Sequence, residues 1–170
     1  MRLFFAIGLS EAWGLWSHLD ACAEMFAAAG YRMTPRANLH LTLNFVGDAD
    51  ADSARQLVER CASVSALPFV ITLGGHLLAL PSPRHPRVLA YGVTSGRDEL
   101  ANLARQVGYA DSQSFLAHVT VAKAKGGAGL LPAVPVFRPI EFMVNSYCLM
   151  NSELGQGCAA YNVVREFPLR

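Results

Sequence analysis

Along this chain the apolar positions switch between a two-residue and a roughly 3.6-residue period, and the switches lay out its elements. Residues 3–9 are apolar almost throughout and read as a first strand. Ser10 is placed to cap the helix that follows, with Glu11 in its first turn and Trp13, Trp16, Leu19 and Met25 carrying the helical spacing toward Gly30. A short strand over 31–34 comes next. From 39 to 46 the alternation is nearly perfect: Leu39, Leu41, Leu43 and Phe45 share one parity, and His40, Thr42 and Asn44 share the other. Pro35 and Asn38 bound this strand on one side, Gly47 and Asp48 on the other.

Residues 50–64 return to helical spacing, with Leu57, Val58 and Cys61 set among Arg55, Glu59 and Arg60. An apolar segment from 68 is interrupted by Gly74 and Gly75, resumes over 77–80 and meets the turn-rich 81–86, a pattern that predicts a bent strand and a hairpin returning along 88–93. Residues 96–108 form a third helical pattern through Leu100, Leu103 and Val107. Phe115 and Leu116 lead into a second alternating strand whose core parity is Val119 and Val121, followed by Gly126-Gly127-Ala128-Gly129. Two long strands, 140–150 and 158–167, close the chain as an antiparallel hairpin turning at Gly155 and Gly157. Several connections are too short for parallel crossovers, so the fold class is α+β. The whole chain, 1–170, is expected to form one bilobal domain with a reactive strand in each half.

Composition narrows the function classes. Hydrophobic residues make up 52% and charged residues 16%, which fits a folded enzyme and not a disordered chain. A net charge of +1 argues against a protein that coats long stretches of nucleic acid, though not against one that binds an end. No apolar run reaches the roughly 18 residues that span a bilayer. The opening apolar run stops at Gly8 with no cleavage region after it, so it reads as a strand and not as a leader. Cys22, Cys61, Cys148 and Cys158 show neither C-x-x-C pairing nor companion histidines at zinc spacing, and reduced thiols in the cytoplasm are expected. A final hairpin would allow Cys148 and Cys158 to face each other, a geometry spacing does not fix, and buried free cysteine is the commoner case. A monomer without an obligate protein partner is the default.

The informative unit is His40-Leu41-Thr42-Leu43, repeated as His118-Val119-Thr120-Val121. In a strand, each copy projects His and Thr from one face and buries its apolar residues on the other. One such triplet is commonplace; two among five histidines point to one shared site. His18, His76 and His85 lie in no comparable pattern. The spacing of the paired units does not match close metal ligation, and neither metal nor cofactor is expected.

These units resemble the signatures of the two-histidine (2H) phosphoesterase superfamily, and more closely those of the bacterial RNA 2′,3′-cyclic phosphodiesterases, also called 2′-5′ RNA ligases. The likeness extends over Arg2-Leu3-Phe4-Phe5-Ala6-Ile7, over residues 38–47, over residues 115–121, and over Tyr161 and Phe167-Pro168-Leu169. The chain departs from the family pattern with Ala117 where proline is usual and Lys123 where arginine is usual. Lysine keeps the charge without the planar two-pronged grip.

The resemblance implies two pseudo-symmetric lobes with antiparallel sheets flanking a central cleft and helices outside. It implies hydrolysis of cyclic phosphate ends of RNA or nucleotides to 2′-phosphates, with reversible 2′-5′ ligation as a second face of the same chemistry. For the proton transfers we assign His40 as general acid and His118 as general base, with the swapped division equally open, since histidine's ordinary pKa of about 6.5 permits either near neutrality. Thr42 and Thr120 are assigned to the phosphate, and Lys123, Arg36 and Phe5 to substrate contacts, with Tyr31 a second stacking candidate. Two other readings are an RNA-end or nucleotide-binding module with little turnover, and a phosphodiesterase for 2′-5′-linked oligonucleotides.

Overall fold

The computed structural model describes residues 1–9, 11–110, 115–127, 129–154 and 159–170. Among the described residues the order of elements is β1 (Arg2–Gly8), α1 (Trp13–Ala21), α2 (Ala23–Ala28), β2 (Tyr31–Met33), a 3₁₀ turn (Arg36–Asn38), β3 (His40–Asp48), α3 (Ala51–Cys61), β4 (Phe69–Leu80), β5 (Val88–Ser95), α4 (Arg97–Gln106), β6 (His118–Ala124), β7 (Ile140–Val144), β8 (Ser146–Leu154) and β9 (Ala159–Pro168). The strands join in the order β7-β4-β5-β6-β3-β1-β8-β9, with β2 also on β6, and the ladders are antiparallel.

Leu41 pairs with Val119 where β3 meets β6, and this seam divides the sheet into β7-β4-β5-β6, with β2 also on β6, and β3-β1-β8-β9, each group having its histidine strand at the seam. That is the α+β fold expected from the element order and short connections, with the antiparallel sheets that the resemblance implied. One face is a continuous core. Leu3, Phe5 and Ile7 of β1, Leu41 and Leu43 of β3, and Val119 and Val121 of β6 pack there with Leu15, Leu19, Phe26, Leu100 and Leu103 from the helices. Each such fully buried side chain contributes about 1.5–3 kcal/mol. The helices therefore cover one face, leaving His40, Thr42, His118 and Thr120 on the other.

Three expectations change. The helix expected up to Gly30 bends at Cys22 into α1 and α2, placing Phe26 in the same core as Leu15 and Leu19. Ser10 lies outside the described residues; Ala12 holds the N-cap position of α1 without a side-chain cap bond, whereas Asp50 caps α3 by accepting from the Ser53 amide at 2.7 Å. The single strand expected over 140–150 is two strands in different lobes, since β7 pairs with β4 and β8 with β1. Both pieces are apolar and no Gly or Pro separates them, so the break at Asn145 is silent in the sequence. The sheet curls enough for one residue to bridge them, and the Asn145 carbonyl accepts from the Leu169 amide at 2.8 Å. The closing hairpin itself is β8–β9.

Cys22, Cys61 and Cys148 are buried free thiols; Cys158 and the turn expected at Gly155 and Gly157 lie outside the described residues. Among the described residues, no helix is long and apolar enough to cross a membrane.

Candidate active site

The seam places the two repeated units against each other. With Leu41 opposite Val119, the antiparallel register sets His40 across from Thr120 and Thr42 across from His118. The two histidines are thus diagonal neighbours, a relation that sets residues about 7–8 Å apart, their Cβ atoms somewhat closer, and leaves room for a small group between the rings.

Two bulges complete the face. On β3, Phe5 pairs with Asn44 and Ala6 with Thr42, so Leu43 is an extra residue. Side-chain parity inverts beyond it. Asn44 turns to the helical side, where its amide donates to the Val107 carbonyl at 3.0 Å. Phe45, expected in the core, is 71% exposed and borders the cleft instead. On β6, Ala90 pairs with Thr120 and Leu89 with Ala122, making Val121 the extra residue. Simple alternation puts Lys123 with Val119 and Val121; the bulge transfers it to the histidine face.

Both rings are held the same way. His40 Nδ1 lies 2.7 Å from the Asn38 carbonyl and His118 Nδ1 lies 2.7 Å from the Leu116 carbonyl. A carbonyl only accepts, so Nδ1–H is the donor in each ring, and in the neutral tautomer Nε2 carries the lone pair. His40 Nε2 sits 3.1 Å from Thr42 Oγ1. Asn38 is itself anchored: its amide donates to the Ala159 carbonyl at 2.7 Å, tying the approach to His40 to the start of β9.

The surroundings of the rings differ. His40 is half-buried between two aromatic rings, Phe4 tilted against it and Tyr161 edge-on, each with its centroid 5.1 Å away. Phe4, Ala6, Cys148 and Met150, with Tyr161 packed on them, form a second, smaller apolar cluster beneath the ring. Burial lowers the His40 pKa below 6.5; the positive charges of Lys123 and His118 lower it too, while the bond to the Asn38 carbonyl acts in the opposite sense. In the free protein His40 is therefore held toward the neutral form.

A cleft of about 390 Å³ gathers His40, Thr42, His118, Thr120 and Lys123, with Phe4, Phe45, Arg2, Asn38, Ser152 and Tyr161 around them. Other expected contacts are elsewhere. Phe5 is 0% exposed on the core side of β1, its ring 6.2 Å from that of Tyr147, and presents no face to a ligand. Tyr31 is buried as well, its hydroxyl donating to the Pro86 carbonyl. Arg36 forms an ion pair with Asp20 and lies over the Trp16 ring at 5.3 Å; it borders a neighbouring hollow that His40 also lines, and is absent from the lining of the cleft that holds both histidines.

Phe4, Tyr161 and Phe45 are the site residues that sequence reading missed. Phe4 sits in a run buried on both faces, where parity carries no information; Tyr161 was visible only through the resemblance. Of the remaining histidines, His18 bonds Tyr91 at 2.8 Å behind the sheet, while His76 and His85 are exposed outside the cleft. Among the described residues, no group of three or more His, Cys, Asp or Glu side chains is placed to hold a metal ion.

Comparison with known proteins follows the same lines. The family described as LigT like Phosphoesterase matches residues 17–90. An RNA 2′,3′-cyclic phosphodiesterase of Aquifex aeolicus is 32% identical over 148 residues, covering 78% of each chain. One of Thermus thermophilus is 30% identical over 187 residues, covering 100% of this chain and 91% of the relative. Among solved structures, E. coli LigT complexed with phosphate superposes with a TM-score of 0.79 at 26% identity, covering 99% of this chain and 96% of that one.

Proposed function

This chain belongs to the LigT-like phosphoesterase family, and on that premise we propose that it is a hydrolase that opens 2′,3′-cyclic phosphates at RNA ends and releases 2′-phosphates. The observation that carries this reading is the diagonal pair of imidazoles across the Leu41–Val119 seam, each with Nδ1 tied to a backbone carbonyl and a threonine hydroxyl on the same face.

Hydrolysis forms one P–O bond to water and breaks the P–O3′ bond, so a proton leaves the water oxygen and another reaches O3′ as it takes the bonding electron pair. A phosphorus between the rings has one imidazole on the entering side and the other on the departing side. The environment of His40 supports it as the base, because burial lowers its pKa and favours the ring with Nε2 unprotonated. His118 is then the acid, which reverses the division the sequence suggested. After turnover His40 holds the water proton and His118 is neutral; exchange with solvent restores both. Each positioned group contributes about 10²–10⁴-fold.

Thr42 and Thr120 donate hydroxyl hydrogen bonds to the non-bridging oxygens, where negative charge accumulates, and Lys123 adds a fixed positive charge. Phe45 offers the terminal base an exposed aromatic face in place of Phe5. A 5′-hydroxyl taking the place of water leaves a 2′-5′ linkage through the same bond changes. The three buried free thiols fit a reducing compartment, the cytoplasm.

The test is incubation of purified protein with RNA ending in a 2′,3′-cyclic phosphate and identification of the product. A 2′-phosphate from the wild type, lost in His40→Ala and in His118→Ala, is expected; a 3′-phosphate or no product overturns the reading.

A further inference from the structure

A second hollow of about 260 Å³ opens directly from the cleft, sharing Thr34, Asn38, Lys123, Ala159 and Tyr161 with it and adding Arg32 and Lys125. Its placement follows from the strands. Arg32 of β2 is paired with Lys123 of β6, so their side chains project from the same face, the face to which the Val121 bulge delivers Lys123. Lys125 follows two residues later, its amide held by the Gly30 carbonyl at 3.0 Å. Lys125 lies one residue past the end of β6, and two residues of extended chain span at most about 7 Å. That is comparable to the phosphate-to-phosphate step of an extended nucleic-acid strand.

Charge singles this path out. The chain as a whole is nearly balanced, with 14 Lys and Arg against 13 Asp and Glu. Yet the described residues that line the cleft and the hollow include Arg2, Arg32, Lys123 and Lys125 and no carboxylate. A cyclic mononucleotide placed between the histidines carries one phosphate and makes no use of Arg32 or Lys125. An RNA end carries a second phosphate, the diester linking its terminal nucleoside to the one before.

We propose that Arg32 and Lys125 form a subsite for this internucleotide phosphate, so that the enzyme selects oligonucleotide ends over cyclic mononucleotides. The inference rests on the cyclic-phosphate reading above and assigns the polarity of the strand: the chain runs from the histidines past Lys123 toward Lys125. The subsite reads backbone charge and not base identity.

The experiment compares kcat/KM for adenosine 2′,3′-cyclic phosphate with that for the dinucleotide ApA ending in the same group, in wild type, Lys125→Ala, Arg32→Ala and, as a remote control on α4, Arg105→Ala. The wild type is expected to favour the dinucleotide by about tenfold or more, and each subsite variant to remove most of that preference through KM, with the mononucleotide as internal reference. The salt dependence of dinucleotide kcat/KM is expected to flatten in Lys125→Ala by about 0.7 in log–log slope, the share that one neutralised phosphate of a single strand carries. A preference unchanged in both variants, or both substrates weakened equally, overturns the subsite. Failure of the wild type on both substrates instead strikes the cyclic-phosphate reading; equilibrium binding of 3′-phosphorylated ApA against 3′-AMP then applies the same ratio test without turnover. Arg32 and Lys125 are exposed, and unchanged thermal midpoints in the variants confirm that the fold is intact.

Discussion

Leu41 stands directly opposite Val119 where β3 meets β6. Both side chains are fully buried, so the core fixes this pairing, and a one-residue slip of either strand would turn that strand's histidine into the interior. The alignment of the reacting groups is thus set by packing on the opposite face of the sheet. Enlarging the pair, as in Val119→Phe, is expected to cost about 1–3 kcal/mol in urea unfolding and to lower kcat by more than tenfold in protein that remains folded.

The neutral bias on His40 makes a pH prediction. A base works deprotonated, so kcat/KM falls as pH drops through its pKa, and for His40 that limb lies below pH 6.5. Lys123→Gln removes a positive neighbour, raises the His40 pKa and moves the limb to higher pH. Measured pH–rate profiles of wild type and variant check this; an acid limb that stays in place in Lys123→Gln shows that the lysine charge does not act on His40.

Thr42 and Thr120 supply hydroxyls and little packing on the cleft face. Thr42→Val and Thr120→Val, close to isosteric, are each expected to lower kcat by about 10–100-fold with the fold retained, and Ser to restore most of the loss. Equal rates for Val and Ser variants would remove the hydroxyls from the mechanism.

Phe5 and Phe45 separate core from site. Phe5→Ala empties a fully buried position and is expected to cost about 3–5 kcal/mol of stability. Phe45→Ala, at an exposed position, is expected to leave the unfolding midpoint nearly unchanged and raise KM about fivefold or more because the terminal base has no ring to stack on. The same pair of measurements, denaturant unfolding and substrate titration, distinguishes them.

Much of the site was legible because two short strands alternate cleanly: His40 and Thr42, and His118 and Thr120, share a face as their parity demands. What parity could not show lies at its interruptions. The extra residues Leu43 and Val121 reverse the faces of Asn44, Phe45 and Lys123, and nothing in an apolar run marks where a bulge falls. The break at Asn145 was hidden for a similar reason, since β7 and β8 read as one strand until their partners are known. Phe4 and Phe5 are adjacent and chemically identical, and only the curl of β1 between the core and the smaller cluster with Tyr161 tells which one reaches His40. Arg36 illustrates the converse, a cation near the histidine strand in sequence that is engaged by Asp20 and Trp16.

The central claim is that both imidazoles act on one phosphorus. Single-turnover reaction of the cyclic-phosphate dinucleotide, followed by ³¹P NMR, reads rate and product together in wild type, His40→Ala, His118→Ala and the double variant. The paired mechanism predicts a 2′-phosphate from wild type, a loss of at least about 100-fold in each single variant, and a double variant little worse than either. Near-wild-type turnover in either single variant, or losses that multiply as for independent groups, would contradict it.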